Sequence, residues 1–280
     1  MNLFITGASG FIGSKLLSNK IFLKKFKKIY CLSRRKNKTN SKNITWINGD
    51  LNTNLTKYFK KSSYLIHLAA HSANKPYDNL ENCLYWNCIN SIKLINSAYK
   101  AGINKFIVLG TFYEFGLSGN IYKNSGIPVL APQLPQSTYA ISKAIFFQSL
   151  LSWSMGKNVG IRYLRLPHIY GQGEKKTRLW PIIKADKKNK ILLDNPNFRS
   201  TFLSINNLIS QIIKFSNFQN LKEKYFEINN LPGQNLSIYN FAKIQKKITG
   251  SRIKIIKKKS KNINLKFLIM KKQKKIIKLK

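Results

Sequence analysis

A doubly wound α/β fold, a parallel sheet carrying a smaller C-terminal lobe, is what this 280-residue chain predicts. Three observations carry that reading. Short apolar runs alternate with amphipathic helical stretches through the first 110 residues. The first run leads directly into a glycine-rich turn. Beyond about Gly171 the alternation loosens. Strands alternating with helices imply right-handed crossovers and therefore a parallel sheet.

Asn2 to Thr6 reads as a short buried strand, and a helix runs from Phe11 to about Lys20. Ile29 to Leu32, Ile44 to Ile47 and Tyr64 to Leu68 are further strand candidates. From about Leu80 to Ala101, Leu84, Cys88, Ile92, Ile95 and Tyr99 recur at helical spacing, which predicts one long helix. Phe106 to Leu109 closes this half as a buried strand. Residues 111–136 are rich in Gly, Pro and Ser, and long enough to mark an active-site segment. A helix from about Ser137 to Trp153 and a strand from Val159 to Leu166 come next. The last thirty residues hold thirteen Lys+Arg and no acid. They read as a strand and then a solvated or poorly ordered basic tail.

Hydrophobic residues make up 43% of the chain, enough for a sizeable core and too many for wholesale disorder. Three cysteines (Cys31, Cys83, Cys88) are too few for a disulfide scaffold or a zinc cluster, so a reducing compartment is expected. The first strand begins at Asn2, with no apolar segment before it, and the apolar run from Ala144 to Met155 is too short for a bilayer. The expected location is the cytoplasm. Fifty Lys+Arg against nine Asp+Glu give a formal charge of +41. That balance ordinarily points to nucleic acid or an anionic membrane. Here Lys, Asn and Ile are abundant throughout and only seven of the fifty basic residues are arginine. This usage fits an AT-rich codon bias better than a dedicated polyanion partner, so nucleic acid is not the expected ligand.

Thr6-Gly7-Ala8-Ser9-Gly10-Phe11-Ile12-Gly13 follows the first strand and opens the first helix. Glycines there allow a tight turn and a close approach of backbone to a pyrophosphate, which the helix N-terminus then receives. Position and spacing mark Gly7, Ser9, Gly10, Phe11, Ile12 and Gly13 as a dinucleotide-binding loop on a Rossmann-type sheet. The second strand ends in Leu32-Ser33-Arg34-Arg35, where NAD-binding folds carry an acid for the ribose. A serine and two arginines, Arg34 foremost, favour NADP over NAD. Asp50, after the third strand, is placed to hold the adenine edge.

Tyr139 and Lys143 lie one helical turn apart, an arrangement in which the ammonium favours the phenolate. Thirteen tyrosines in so lysine-rich a chain make about two such pairs by chance. Two occur, the other being Tyr239/Lys243. Tyr139 follows the loop at the carboxyl side of the predicted sheet, where open α/β sheets bind ligands, and Tyr239 does not.

These motifs, with Asp50-Leu51, His67-Leu68-Ala69-Ala70, Asn87, Thr111 and Arg165-Leu166-Pro167-His168-Ile169-Tyr170-Gly171, occur in an order that resembles the extended short-chain dehydrogenases of the NAD-dependent epimerase/dehydratase family. The resemblance spans about residues 1–250. It implies Tyr139 as acid/base, with Lys143 lowering its pKa and holding the nicotinamide ribose, and Thr111 hydrogen-bonding the reacting substrate oxygen. It further implies that Leu51, Leu68, Ala69, Ala70 and Pro167 line the cofactor, and that Asn87 supports the site. Tyr113 and His168 would face the sugar, and Arg199 would contact the diphosphate of a nucleotide sugar. The expected division is a Rossmann domain over 1–170, a substrate lobe over 171–255 partly interleaved with it, and the basic tail over 256–280. Relatives dimerise through two long helices, here about 80–101 and 137–155.

The chain departs from the family pattern at Ser200, Asn206 and Asn207, where acids are usual, in keeping with the codon bias. The family's 4,6-dehydratases carry a glutamate two residues after the threonine. Tyr113 stands there and Glu114 is one residue on, which in an extended segment points to the opposite face. Dehydration is disfavoured on this ground. A 4-keto-6-deoxysugar reductase of surface-polysaccharide biosynthesis is the first expectation and a nucleotide-sugar C4 epimerase the second. A reading of another class is a non-catalytic protein of this fold binding RNA or an anionic surface, which would leave the Thr/Tyr/Lys set without purpose.

Overall fold

The computed structural model describes residues 1–35, 41–186, 189–258 and 265–279. Its main sheet is built from β1 (Asn2–Thr6), β2 (Lys28–Ser33), β3 (Ile44–Asn48), β4 (Tyr64–His67), β5 (Lys105–Thr111) and β6 (Gly160–Leu166), all parallel. The smaller elements β7 (His168–Tyr170), β8 (Lys190–Leu193) and β9 (Arg199–Ser204) follow, before the chain returns as β10 (Tyr225–Asn230), parallel to β6. Then come β11 (Gln234–Ser237), β12 (Lys254–Lys257), β13 (Phe267–Leu268) and β14 (Gln273–Lys278). The eight-stranded sheet runs β3-β2-β1-β4-β5-β6-β10-β14. Its strand order reverses between β1 and β4, the switch point at which such sheets receive ligands.

Strands buried on both faces read as unbroken apolar runs, and Leu3-Phe4-Ile5 shows why. Leu3 and Ile5 enter one core with Leu16, Ile66, Ile107 and Ile209, while Phe4 enters the other with Leu65, Phe106, Leu94 and Phe146. A lobe of β7, β9, β11 and β13 sits beside the carboxyl ends of the strands. It is joined by the β8–β12 pair and by the helices Leu179–Ala185 and Ile238–Thr249.

Three sequence expectations change here. The helix expected over 80–101 is α-helical over Leu80–Leu84, widens to a π turn over Tyr85–Ile89 and resumes over Asn90–Lys100. Periodicity alone does not register one extra residue per turn, and such bulges occur at functional positions. The segment after Thr111 is a tight 3-10 turn, Phe112–Glu114, rather than extended chain. The expected solvated tail is instead partly built into the fold. β14 pairs antiparallel with β10 from Lys278 opposite Tyr225 to Gln273 opposite Asn230, and β13 joins β9. Ile277 and Leu279 pack on the second core, and Lys274 reaches Glu227 at 3.2 Å. Lysine density hid a strand whose few apolar residues suffice for an edge position. Residues 259–264 and 280 of that stretch lie outside the described residues.

Candidate active site

β5 and the helix Thr138–Ser154 assemble the centre. Thr111 ends β5, directly opposite Leu166 of β6. Its hydroxyl accepts from Tyr113 N–H at 3.3 Å, while Glu114 reaches back to accept from Thr111 N–H at 2.8 Å, a reciprocal capping box. Ser137 caps the following helix by accepting from Ala140 N–H, and Thr138 donates to Asp78 O at 2.7 Å. Tyr139 therefore enters the site from the helix's first turn, buried, within hydrogen-bonding reach of Thr111. One turn on, Lys143 is also buried and donates to Leu109 O at 2.8 Å, its ammonium 4.8 Å from the Phe146 ring centre.

Asn87 sits in the π turn and ties three parts together. Its Oδ1 accepts from His71 N–H, and its Nδ2 donates to His71 O and to Ser142 Oγ. Ser142 in turn donates to Tyr139 O. Tyr77 stacks on Tyr139 with ring centres 6.0 Å apart. Tyr113 bonds His168 Nε2 at 3.1 Å, and His168 stacks on Phe202.

Burial dominates the electrostatics. It pushes Tyr139 upward, helped by the Glu114 carboxylate and Tyr77 and opposed by the Thr111 hydrogen bond and Arg178. Tyr139 is thus a neutral phenol at pH 7, ready to donate, and not lowered by Lys143 as the sequence led us to expect, because burial dominates and that ammonium is turned to Leu109 O. Burial lowers Lys143 to about 8 against the pull of Glu114, and lowers His168 to about 3, with Arg178 acting in the same direction.

Glu114 is 0% exposed, and both of its oxygens are occupied. Its Oε1 accepts from Thr111 N–H and Tyr163 O–H, and its Oε2 from Arg165 Nε and Gln133 Nε2. In a 3-10 turn, neighbouring side chains diverge by about a third of a turn, so the separation of Tyr113 and Glu114 arises from that turn rather than from pleating.

The glycine loop lies at the switch point. Gly7 has a positive φ of 68°, and a Cβ on it would stand 2.6 Å from Ala69 N. On Gly13 a Cβ would stand 2.3 Å from Gly7 O. The helix Phe11–Leu17 has Gly10 as its N-cap with no side-chain cap, which leaves its first N–H groups for an anion. Gly13→Ala is expected to cost about 1–3 kcal/mol in urea unfolding, because backbone must give way. A change below about 0.5 kcal/mol would contradict the tight packing.

Ser33 Oγ donates to Ser9 Oγ, joining the end of β2 to the loop, with Arg34 exposed beyond it. Asp50 Oδ1 accepts from Asn52 N–H. Leu51 and Leu68 are half-buried against the two cores, Ala69 donates its N–H to Thr6 Oγ1, and Ala70 borders the cavity over loop 70–78. Pro167 is buried between β6 and β7. Arg199 opens β9, three residues before the Phe202 that stacks on His168, and its buried Nε has no partner.

The sequence reading missed Arg178. Its guanidinium donates to Glu174 (2.9 Å) and Asn74 (3.0 Å), and its charge reaches Tyr77, Tyr113, Tyr139 and His168. The available signal was arginine itself, rare in a chain where lysine dominates.

A glycine-lined strand-to-helix turn at the switch point, facing a Thr/Tyr/Lys centre at the carboxyl ends of parallel strands, defines a Rossmann-type dinucleotide-binding enzyme. The chain belongs to the NAD dependent epimerase/dehydratase family, whose model matches residues 3–226. No curated protein matches it in sequence. It is similar in fold to UDP-N-acetylglucosamine 4-epimerase from Methanobrevibacter ruminantium M1 in complex with UDP-N-acetylmuramic acid (TM-score 0.81, 21% identity, covering 96% of this chain and 89% of that one). It is likewise similar to UDP-glucose 4-epimerase from Thermotoga maritima with UDP-glucose (TM-score 0.79, 18% identity, 97% and 90%). A third similar structure is the NAD dependent NDP-hexosamine 5,6-dehydratase TunA of tunicamycin biosynthesis (TM-score 0.79, 18% identity, 97% and 89%). Among the described residues no helix is long and apolar enough to cross a membrane.

Proposed function

We propose that the protein is an NAD(P)-dependent oxidoreductase acting at C4 of a nucleotide-diphosphate sugar, with reduction of a 4-keto-6-deoxysugar as the first reading. One observation carries the choice of reaction. Beside Thr111 and Tyr139 the site presents Tyr113 and His168, while Glu114, the carboxylate adjacent to them in sequence, is spent on Arg165, Tyr163, Gln133 and the Thr111 backbone. The glutamate next to Thr111 is thus not free to take a carbon-bound proton, which disfavours dehydration by that residue. Glu174 gives one oxygen to Arg178 and keeps a buried, unpartnered Oε2.

The cradle fits a dinucleotide: Gly7 and Gly13 leave no room for a Cβ, and the uncapped helix N-terminus answers a pyrophosphate. The loop from Gly7 to Gly13, with Ala69, Ala70 and Pro167, would hold it. Bound there, a nicotinamide supplies the hydride chemistry. Thr111 orients the C4 oxygen, and Tyr139 O–H delivers its proton to that oxygen as the carbonyl becomes an alcohol. Lys143 stabilises the resulting phenolate. Arg199, with its unpartnered Nε, is placed for a diphosphate oxygen. The absence of a carboxylate at Ser33–Arg35 supports NADP. The two similar 4-epimerases support the second reading, in which the C4 hydrogen returns to the opposite face. Exposed Tyr85, Ile89 and Ile145 on the two long helices support a homodimer formed there.

The test is turnover of purified protein with NADPH or NADH and a panel of nucleotide-4-keto-6-deoxysugars. Substrate-dependent cofactor oxidation is the expected result. Interconversion of C4 epimers without net oxidation would replace the reductase by the epimerase, and no cofactor binding would overturn both.

A further inference from the structure

The second Tyr/Lys pair, Tyr239/Lys243, takes no part in the centre described above, yet it lines a concavity of its own. Between the helix Ile238–Thr249 and β12 runs a groove of about 570 Å³, lined by Tyr239, Lys243, Lys246, Lys247, Ser251 and Lys254. Lys257 brings its ammonium to 4.1 Å from the Tyr239 ring centre, and Lys243 lies 5.7 Å from it. Four lysines thus line the groove, and two ammonium groups, those of Lys243 and Lys257, lie over the Tyr239 ring. The carboxylate bonded to a lining residue is Asp186, which accepts from Ser251 Oγ at 2.7 Å and from the N–H groups of Arg252 and Ile253.

Ordinary helix electrostatics do not account for this gathering. Lys243 is three and four residues from Lys246 and Lys247, so the three share a face where like charges repel and destabilise the helix. The carbonyl end of a helix offsets only about half an elementary charge. With Asp186 included, most of the positive charge stays unbalanced along an open groove. The groove falls within the roughly 300–1,000 Å³ range of small-ligand sites. Lysine ammoniums are compact point donors suited to phosphate oxygens. The Tyr239 ring holds two of them in place from below.

We propose that this groove is a second anion site that binds an oligophosphate chain, the chemistry shared by inorganic polyphosphate and nucleoside triphosphates. The site is independent of the reaction proposed for the Tyr139 centre and stands or falls separately from it.

The experiment is calorimetric titration with inorganic tripolyphosphate, then with ATP, at matched low and high ionic strengths. Wild type is compared with K243Q/K246Q/K247Q/K254Q and with a charge-matched control, K20Q/K24Q/K25Q/K27Q, whose lysines are exposed and do not line the groove. Circular dichroism checks that both variants fold, and K246Q/K247Q alone provides a milder pair at exposed or half-buried positions. The proposal expects one saturable event per chain that weakens about tenfold or more in the groove variant and less than about threefold in the control, with a shallower salt dependence in the former. Equal response to tripolyphosphate and ATP identifies the phosphate chain as the ligand, and a preference for either names its source. Equal weakening in both variants would reduce the effect to net charge and overturn the proposal. A single-stranded oligonucleotide that binds wild type and the groove variant alike, and more tightly than tripolyphosphate, would also overturn it, in favour of a diffuse nucleic-acid surface.

Discussion

Tyr139→Phe is expected to lower kcat by about two to four orders of magnitude, the usual worth of a positioned acid/base group, with cofactor affinity unchanged. The phenol is buried and held neutral beside Thr111, so removing its hydroxyl takes away the proton donor and leaves the ring stacked on Tyr77. Lys143→Met should match that loss of activity and, in contrast, stabilise the fold at neutral pH. Burial lowers the ammonium from 10.5 to about 8. Between those values the unfolded chain binds more protons than the folded one, so wild-type stability rises with pH across the window and carries the full penalty below it. That penalty is about 3 kcal/mol, from which the lost hydrogen bond to Leu109 O subtracts about 1. The gain at pH 7, read by urea unfolding, should shrink as pH climbs above 8. A Met variant less stable than wild type at pH 7 would refute this account, and a Phe variant with near-native turnover would remove Tyr139 from the chemistry.

Arg165→Met is expected to cost about 3–5 kcal/mol, because it strands a carboxylate in the interior. Arg165 and Glu114 are 1% and 0% exposed and meet at 2.8 Å. The guanidinium also donates to Val129 O and lies over Phe115 and Phe147, with 4.6 and 4.4 Å to the ring centres. Those contacts make Glu114→Gln the milder change. It keeps an oxygen for Thr111 N–H and Tyr163 O–H, while Arg165 retains its carbonyl and two ring faces. Chemical denaturation of the two single variants and the double measures the order. A Glu114→Gln cost equal to or above that of Arg165→Met would show that the carboxylate, not the guanidinium, is the better supported partner. Because Glu114 clamps the Thr111 backbone, Arg165→Met should also lower kcat without touching substrate.

The parallel sheet was legible because its central strands are buried on both faces: Phe106-Ile107-Val108-Leu109 could hardly be read otherwise. The glycine loop was legible from its place between a strand and a helix. Tyr139 was separable from Tyr239 by position alone, since both precede a lysine by four. The π turn around Asn87 and the 3-10 turn at Phe112–Glu114 were not, because each differs from its regular neighbour by one residue of register, below the resolution of periodicity. Arg178 was missed because its reach depends on Asn74, more than a hundred residues earlier in the chain. The terminal strand was missed because Gln273–Lys278 shows four exposed side chains in succession, and pairing with β10 is supplied from elsewhere.

By itself, then, the sequence indicated the alternation of strands and helices through β6 and marked the glycine loop and Thr111, Tyr139 and Lys143 as candidates. These rest on local patterns: burial written as apolar runs, turns written as glycine, and a pair spaced by one helical turn. Only the tertiary structure decided which way Glu114 faces, what holds Thr111, which cations surround Tyr139 and where the basic C-terminal segment goes. The Glu114–Arg165, Thr138–Asp78 and Val129–Gln273 contacts among them join residues 50 to 150 apart, whose energies appear only when the fold brings them within hydrogen-bond distance.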